Sequence, residues 1–168
     1  MNPGDKYRYT RHNAGAMALD QIFPDADYSA QKTLEAYAAN ISEDERTFIL
    51  LKPQTFMNLS GSSVQKAMKK HNIEPSHLVV LHDEVELPVG QVRYKFGGGH
   101  KGHNGLRSIM AVIGTADFHR IRIGVGRPAD DTNGIADYLL GFQPEAQRAK
   151  KTAIQPALDQ ALKSLNNA

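Results

Sequence analysis

The chain has no cysteine. That absence excludes disulfides, a thiolate nucleophile and thiolate metal sites, and it suits a reducing compartment. Long apolar runs are also missing, since no stretch approaches the ~20 residues that a membrane-spanning helix needs. The first residues, MNPGDKYRYTRHN, are polar and basic and lack the apolar centre of a signal peptide. These absences together predict a soluble, cytoplasmic protein with no membrane partner. No repeat, linker or low-complexity tract divides the 168 residues, so a single domain over 1–168 is expected, large enough to bury a core without covalent staples.

Acidic residues are scarce in one segment. From Arg93 to Arg127 there are seven basic residues, Arg93, Lys95, Lys101, Arg107, Arg120, Arg122 and Arg127, against the single acid Asp117. That segment is +6; with the whole chain at +2, the remainder is −4. Positive charge gathered in one segment, among glycines and histidines, points to a polyanionic partner such as nucleic acid or else to a solvated basic face.

Apolar spacing predicts a mixture of helices and strands. Helices are expected at Asn13 to Phe23, at Asn58 to His71 with Leu59, Val64 and Met68 as its stripe, at Asn104 to Ile113, at Ile135 to Leu140 and at Glu145 to Leu165. Strands are expected at Thr33 to Ala38 and Thr47 to Leu51, joined by the polar Ser42-Glu43-Asp44-Glu45 turn. The run LVVLH, Leu78 to His82, reads as a strand buried on both faces. Val92 to Phe96 and Arg120 to Gly126 alternate apolar and basic residues, as a strand with one charged face does. The fold class is therefore α/β, with a twisted mixed sheet covered by helices on both faces.

Between two of these elements lies KFGGGHKGHNGLRS, Lys95 to Ser108. Gly97, Gly99 and Gly102 satisfy G-x-G-x-x-G, and Asp117 follows at about the interval of a ribose-binding acid. A dinucleotide fold, however, opens on a deeply buried first strand, and here the motif follows the charged strand VRYKF in mid-chain. A phosphate loop ending in G-K-[ST] is absent. Zinc on His100, His103 and a nearby carboxylate is a further reading, but a glycine-rich loop holds ligands loosely and no helical H-E-x-x-H spacing supports it. What remains is a flexible basic loop entering a helix whose exposed N–H groups can bind anionic or carbonyl oxygens, with Asn104 as the expected N-cap.

Three more stretches place polar residues where ligands gather in α/β sheets, beyond strand ends. NPGDKYRYTRHNAG holds Asn2 and His12, KPQTFMNLSG holds Phe56, Met57 and Asn58, and HDEVELPVG places Asp83 after a buried strand. Singly, each has a plain explanation, such as a turn, a packed core residue or a loop histidine. As a set, His12, Asp83, Asn2, Asn58 and Asn104 contain neither a covalent nucleophile nor metal ligation. They suit water activated by a general base, an acid orienting the imidazole, and amides placing a carbonyl. Ester or amide hydrolysis without an acyl-enzyme follows, with no metal and no cofactor.

With those residues in view, the chain resembles bacterial peptidyl-tRNA hydrolase over nearly its whole length. The matching stretches are NPGDKYRYTRHNAG, KPQTFMNLSG, HDE at His82 to Glu84, GGGHKGHNGLRSI at Gly97 to Ile109 and FHRIRIGVGRP at Phe118 to Pro128. The resemblance implies hydrolysis of the ester between peptide and tRNA, recycling peptidyl-tRNA that falls from ribosomes. It implies His12 as the base, Asp83 as the group keeping His12 basic, and Asn2 as the residue recognising the acylated amino group. It further implies Tyr7, Phe56, Met57, Asn58, His103 and Asn104 as positions for the tRNA end or the peptide, and Lys95 and Arg122 as a clamp on the 5′ phosphate. A monomer is expected. Family members carry an apolar strand before Asn-Pro-Gly, so the resemblance also implies a chain truncated at its amino terminus, a sheet lacking its first strand, and less rigid Asn2 and His12. A non-catalytic relative of this fold binds partners in intron-splicing ribonucleoprotein, which supplies the alternative reading of an RNA-binding protein.

Overall fold

A computed structural model of the chain describes residues 1–43, 46–129 and 134–166. Two 3-10 turns, Asp5–Tyr7 and Arg11–Asn13, lead into helix α1 (Ala14–Ile22). Ala14, Met17, Ala18 and Ile22 are buried on α1, at the spacing of one helical face. Gly15 belongs to the same face, and a Cβ there would lie 2.1 Å from the backbone oxygen of Leu81. Only glycine allows this approach of the helix to the strand beneath it.

Strands β1 (Ser29–Gln31), β2 (Ala36–Glu43) and β3 (Arg46–Pro53) form an antiparallel sheet in that order. The strand expected from Thr33 to Ala38 is thus mostly displaced. Lys32–Leu34 make a 3-10 turn and Glu35 adopts a left-handed conformation with φ 51°, which interrupts any extended run. Leu34 is buried nonetheless, so its apolar character signals packing and not a strand. β3 includes and lengthens the expected Thr47 to Leu51. Of the expected turn, Asp44 and Glu45 lie outside the described residues.

Helix α2 (Ser60–His71) follows a 3-10 turn at Met57–Leu59. That turn rotates Leu59 off the stripe and leaves it 54% exposed, while Val64 and Met68 are buried and Ala67 joins them. Strands β4 (Val79–Glu84), β5 (Val92–Phe96) and β6 (His119–Gly124) form a mixed sheet of order β4-β6-β5, β4 parallel and β5 antiparallel to β6. Helix α3 (Asn104–Ile113) connects β5 to β6, and α4 (Gly134–Leu140) follows. The helix expected from Glu145 is broken into a 3-10 turn, Glu145–Gln147, and α5 (Lys151–Asn166), because Arg148 takes an extended conformation.

Helices cover both faces of the mixed sheet. Ile121 and Ile123 of β6 and the following Val125 pack with α1 and with Ile154, Ala157 and Leu158 of α5. Val64, Met68, Leu106 and Ile109 of α2 and α3 pack around Phe118 with Val80. The α/β class stands, but the single sheet is instead two three-stranded sheets. Among the described residues β3 and β4 each keep one edge unpaired. An apolar cavity of about 900 Å³ is lined by both strands and by α1, α2 and α5. For that reason Val79, Val80 and Leu81 are only half-buried, where the apolar run suggested burial on both faces. Among the described residues no helix is long and apolar enough to cross a membrane.

The contact at Gly15 is with backbone, which cannot turn aside as a side chain can. Gly15→Ala is expected to reduce stability by ~1–3 kcal/mol, the usual range for overpacking. Urea unfolding of the two proteins measures it, and equal midpoints would show that α1 can lift from β4 without loss.

Candidate active site

Asp83 is 3% exposed and carries the only carboxylate shared by two imidazoles among the described residues. It lies inside β4, not beyond it as the sequence suggested, because pairing with β6 runs on through Glu84 opposite Gly124. His12 stands in the 3-10 turn before α1, and its Nδ1 is 2.9 Å from Asp83 Oδ1. His103 approaches the same Oδ1 with Nε2, also at 2.9 Å. His103 is the N-cap of α3, its Nδ1 accepting the N–H groups of Gly105 at 3.1 Å and Leu106 at 3.2 Å. Asn104 was the expected cap, but it is the exposed first residue of the helix.

These contacts fix where the protons are. Burial pushes the Asp83 carboxyl up, but interaction with His103 and then His12 outweighs it and holds the group below the ordinary carboxylate range. An ionised carboxylate only accepts, so His12 donates from Nδ1 and its Nε2 is the lone pair left over. His103 accepts at Nδ1 and therefore donates from Nε2, leaving no free polar atom. His82, the third imidazole here, donates Nδ1–H to the backbone oxygen of Asp83 at 2.7 Å. Its Nε2 is buried without a partner. Burial, and next the neighbouring His103, depress His82 to about 4. All three imidazoles line both cavities, and His12 and His82 each keep an unpartnered ring nitrogen, but that of His82 is buried, so His12 alone offers one at the cavity surface.

The same proton count bears on metal binding. His12, Asp83 and His103 bring ligand atoms within 4.8 Å of one another. A cation there would have to displace the proton from His103 Nε2 while Nδ1 still accepts two backbone N–H groups, leaving an imidazolate. His100, which the zinc reading had weighed as a ligand, accepts from Gly102 N–H at 3.1 Å and stands outside this cluster. The donor set fits hydrogen bonding better than a metal.

A second cavity, of about 750 Å³, is lined by all eleven candidate residues of the sequence analysis. Asn2 is buried, and its Oδ1 accepts the Met57 N–H at 2.8 Å. Its Nδ2 is thereby the group left for a ligand. Phe56 is 56% exposed on the wall, and Asn58 and Asn104 are exposed. Tyr7 closes another side, its backbone oxygen held by Asn13 Nδ2 at 2.8 Å. Asn13 also bonds both ways to the Asn2 backbone, at 2.9 Å each, and is 1% exposed. The sequence placed Asn13 only at a helix start, and its position beside His12 was the available signal.

Basic residues share one face of the mixed sheet, because Arg93 pairs with Arg122 and Lys95 with Arg120 across β5 and β6. They are not equivalent. Arg122 donates from Nε to Glu84 at 3.0 Å. Arg120, which the sequence did not single out, is 2% exposed and donates to the backbone oxygens of Gly98 and Gly99. Burial, then the neighbouring Arg122, lower its proton affinity. The glycine loop is thus tied down from beneath, as the wall of the cavity.

An α/β fold in which two imidazoles meet on a buried carboxylate, ringed by amides and cations, is an arrangement able to activate water beside an anionic ligand. A family model described as Peptidyl-tRNA hydrolase matches residues 1–168. The chain belongs to the peptidyl-tRNA hydrolase family. It is 42% identical over 160 residues to a peptidyl-tRNA hydrolase of Geotalea daltonii, covering 94% of this chain and 83% of that one. It is 46% identical to one of Sorangium cellulosum, covering 99% and 78%. The crystal structure of peptidyl-tRNA hydrolase from Acinetobacter baumannii superposes with a TM-score of 0.82 at 32% identity, covering 98% of this chain and 90% of that one.

His82 titrates at about 4 in the folded chain and near its ordinary 6.5 when unfolded. The unfolded state therefore binds the extra proton, so this contribution to stability is full above pH 6.5 and is lost as pH falls towards 4. The loss is about 3 kcal/mol at ~1.4 kcal/mol per tenfold in proton affinity. Asp83, held below its ordinary 3.8, adds a further loss at lower pH. Denaturant titrations at several pH values should show the gap between parent and His82→Gln narrowing from pH 7 to 4. A constant gap would place the titration elsewhere.

Proposed function

We propose that His12 is the general base in hydrolysis of peptidyl-tRNA, with Asp83 orienting it. The reaction is cleavage of the ester between peptide and tRNA, and this chain is an ester hydrolase acting on that substrate class. The observation that supports the assignment of the base is the proton inventory around Asp83, which leaves a usable lone pair on His12 and none on His103. Water held at His12 Nε2 gives up its proton as it attacks the ester carbonyl, and His12 returns the proton to the departing ribose oxygen. No covalent intermediate is needed.

Asn2 gives selectivity for an acylated amino group. With its oxygen held by Met57, it presents an N–H donor, which pairs with the carbonyl of an N-acyl group and has nothing to accept from a free ammonium. Asn58 and Asn104 place the ester carbonyl or the water, and Tyr7, Phe56 and Met57 line the groove for the tRNA end and peptide. Lys95 and Arg122 hold the 5′ phosphate, Arg122 with the guanidinium nitrogens that Glu84 does not use. A cytoplasmic monomer of one domain fits this reading. A non-catalytic RNA-binding role finds no support among the relatives, and retention of His12, Asp83 and the asparagines speaks for chemistry.

His12→Ala is expected to lower kcat by ~10²- to 10⁴-fold, the usual cost of losing a general base, while binding of deacylated tRNA is kept. Release of N-acetyl-amino acid from charged tRNA, with free aminoacyl-tRNA as control, measures it. Near-normal turnover would remove His12 from the mechanism.

For the clamp, Lys95→Ala should raise KM and lower the slope of its logarithm against log salt by about one. Parallel salt plots for mutant and parent would mean that Lys95 touches no phosphate.

A further inference from the structure

Sequence resemblance made His103 a substrate contact. It lines the cavity, but its surroundings leave it no free polar atom to offer a substrate. Nδ1 receives two backbone N–H groups of α3, and Nε2 gives its proton to Asp83 Oδ1. The ring lies 5.0 Å from that of His12 and 5.1 Å from that of His82, centroid to centroid. A group so engaged is neither acid, base nor ligand.

We propose that His103 is a positioning residue, which ties the start of α3 to the carboxylate that orients His12. The proposal rests on the reading of His12 as base. An aspartate held by one imidazole alone is free to turn about its last torsion, which is broad and nearly two-fold. Donors converging on Oδ1 from two different elements remove that freedom. The same bond sets where α3 begins relative to Asp83, and Asn104 is the next residue. The distance between the base and the amide that faces the substrate is therefore fixed through one oxygen atom. Misplacement by ~1 Å in such a constellation can cost ~10²-fold in rate, so a single tie of this kind is large enough to see.

The bland alternative is that His103 only caps the helix. His103→Asn separates the two roles, because asparagine is among the best N-caps but its shorter side chain cannot cap and still reach Asp83. Expected is a melting temperature near that of the parent, a fall in kcat on the order of tenfold, and a smaller change in KM. His103→Ala should lose the cap as well and melt earlier. A readout independent of turnover comes from ¹H–¹⁵N NMR of the imidazoles. The parent should show one carboxylate-bound proton on His103 Nε2 and one on His12 Nδ1. In His103→Asn the His12 proton should shift and exchange faster with water. An unchanged kcat and an unchanged His12 proton in a well-folded His103→Asn would overturn the proposal. So would a parent spectrum with the His103 proton on Nδ1, which decides the matter even if the variant fails to fold. Should His12 itself prove dispensable for turnover, the NMR signals still report whether His103 holds Asp83.

Discussion

A single buried charge organises this molecule. Asp83 is ionised and all but hidden from water, a condition that is costly unless strong donors surround the carboxylate. The donors are two imidazoles, and neither is near Asp83 in sequence. His12 comes from the turn before α1, and His103 from the end of the glycine loop. Satisfying Asp83 therefore requires that the amino-terminal segment, β4 and α3 meet at one point. Much of the local architecture serves that meeting, from the close seat of α1 on β4 at Gly15 to the cap on α3.

The basic face of the mixed sheet shows how one sequence pattern separates into different duties. Alternation along VRYKF and HRIRIG sends Val92, Tyr94, Ile121 and Ile123 towards the α1 and α5 side and the cations towards the other. On that side Arg120 is consumed in holding the carbonyls of the glycine loop, while Arg122 is partly neutralised by Glu84. Lys95 forms no ion pair among the described residues. Net charge counted along the segment overstates what is available to a phosphate, because a guanidinium that binds backbone oxygens contributes shape more than attraction. The loop still gains from it, since a glycine-rich wall tied from below can stand close to a ligand without collapsing into the cavity.

The helices and the charged strands were legible because they carry periodicity, and the eleven candidate residues gather on one cavity, eight from turns and helix starts and three, Asp83, Lys95 and Arg122, from the strands themselves. Other features were not legible, for identifiable reasons. Leu34 is apolar and buried but sits in a 3-10 turn, and pattern alone cannot tell a packed turn from a strand end. The division into two sheets depends on which edges pair, a long-range property that no local window contains. Asn13 and Arg120 spend their polar groups on backbone atoms of distant residues, so their importance appears only when those partners are seen. His103 was singled out by its place, but the sequence shows only a histidine beside a helix start and not which nitrogen is already engaged.

Selectivity in the proposed reading is settled one step away from the residue that exercises it. An asparagine amide can present either its oxygen or its nitrogen, and the two ends have opposite meanings for a ligand. At Asn2 the choice follows from the Met57 N–H, which takes the oxygen and so turns the nitrogen outward. Met57 can do so because Phe56 ends in an extended conformation and the chain then enters a 3-10 turn, where the first N–H groups lack internal partners. Asn13 holds the Asn2 backbone from the other side by both its N–H and its oxygen. The stretch KPQTFMNLSG therefore contributes more than an aromatic wall. Its backbone determines that the site offers a donor, which an acyl carbonyl can accept and a free ammonium cannot.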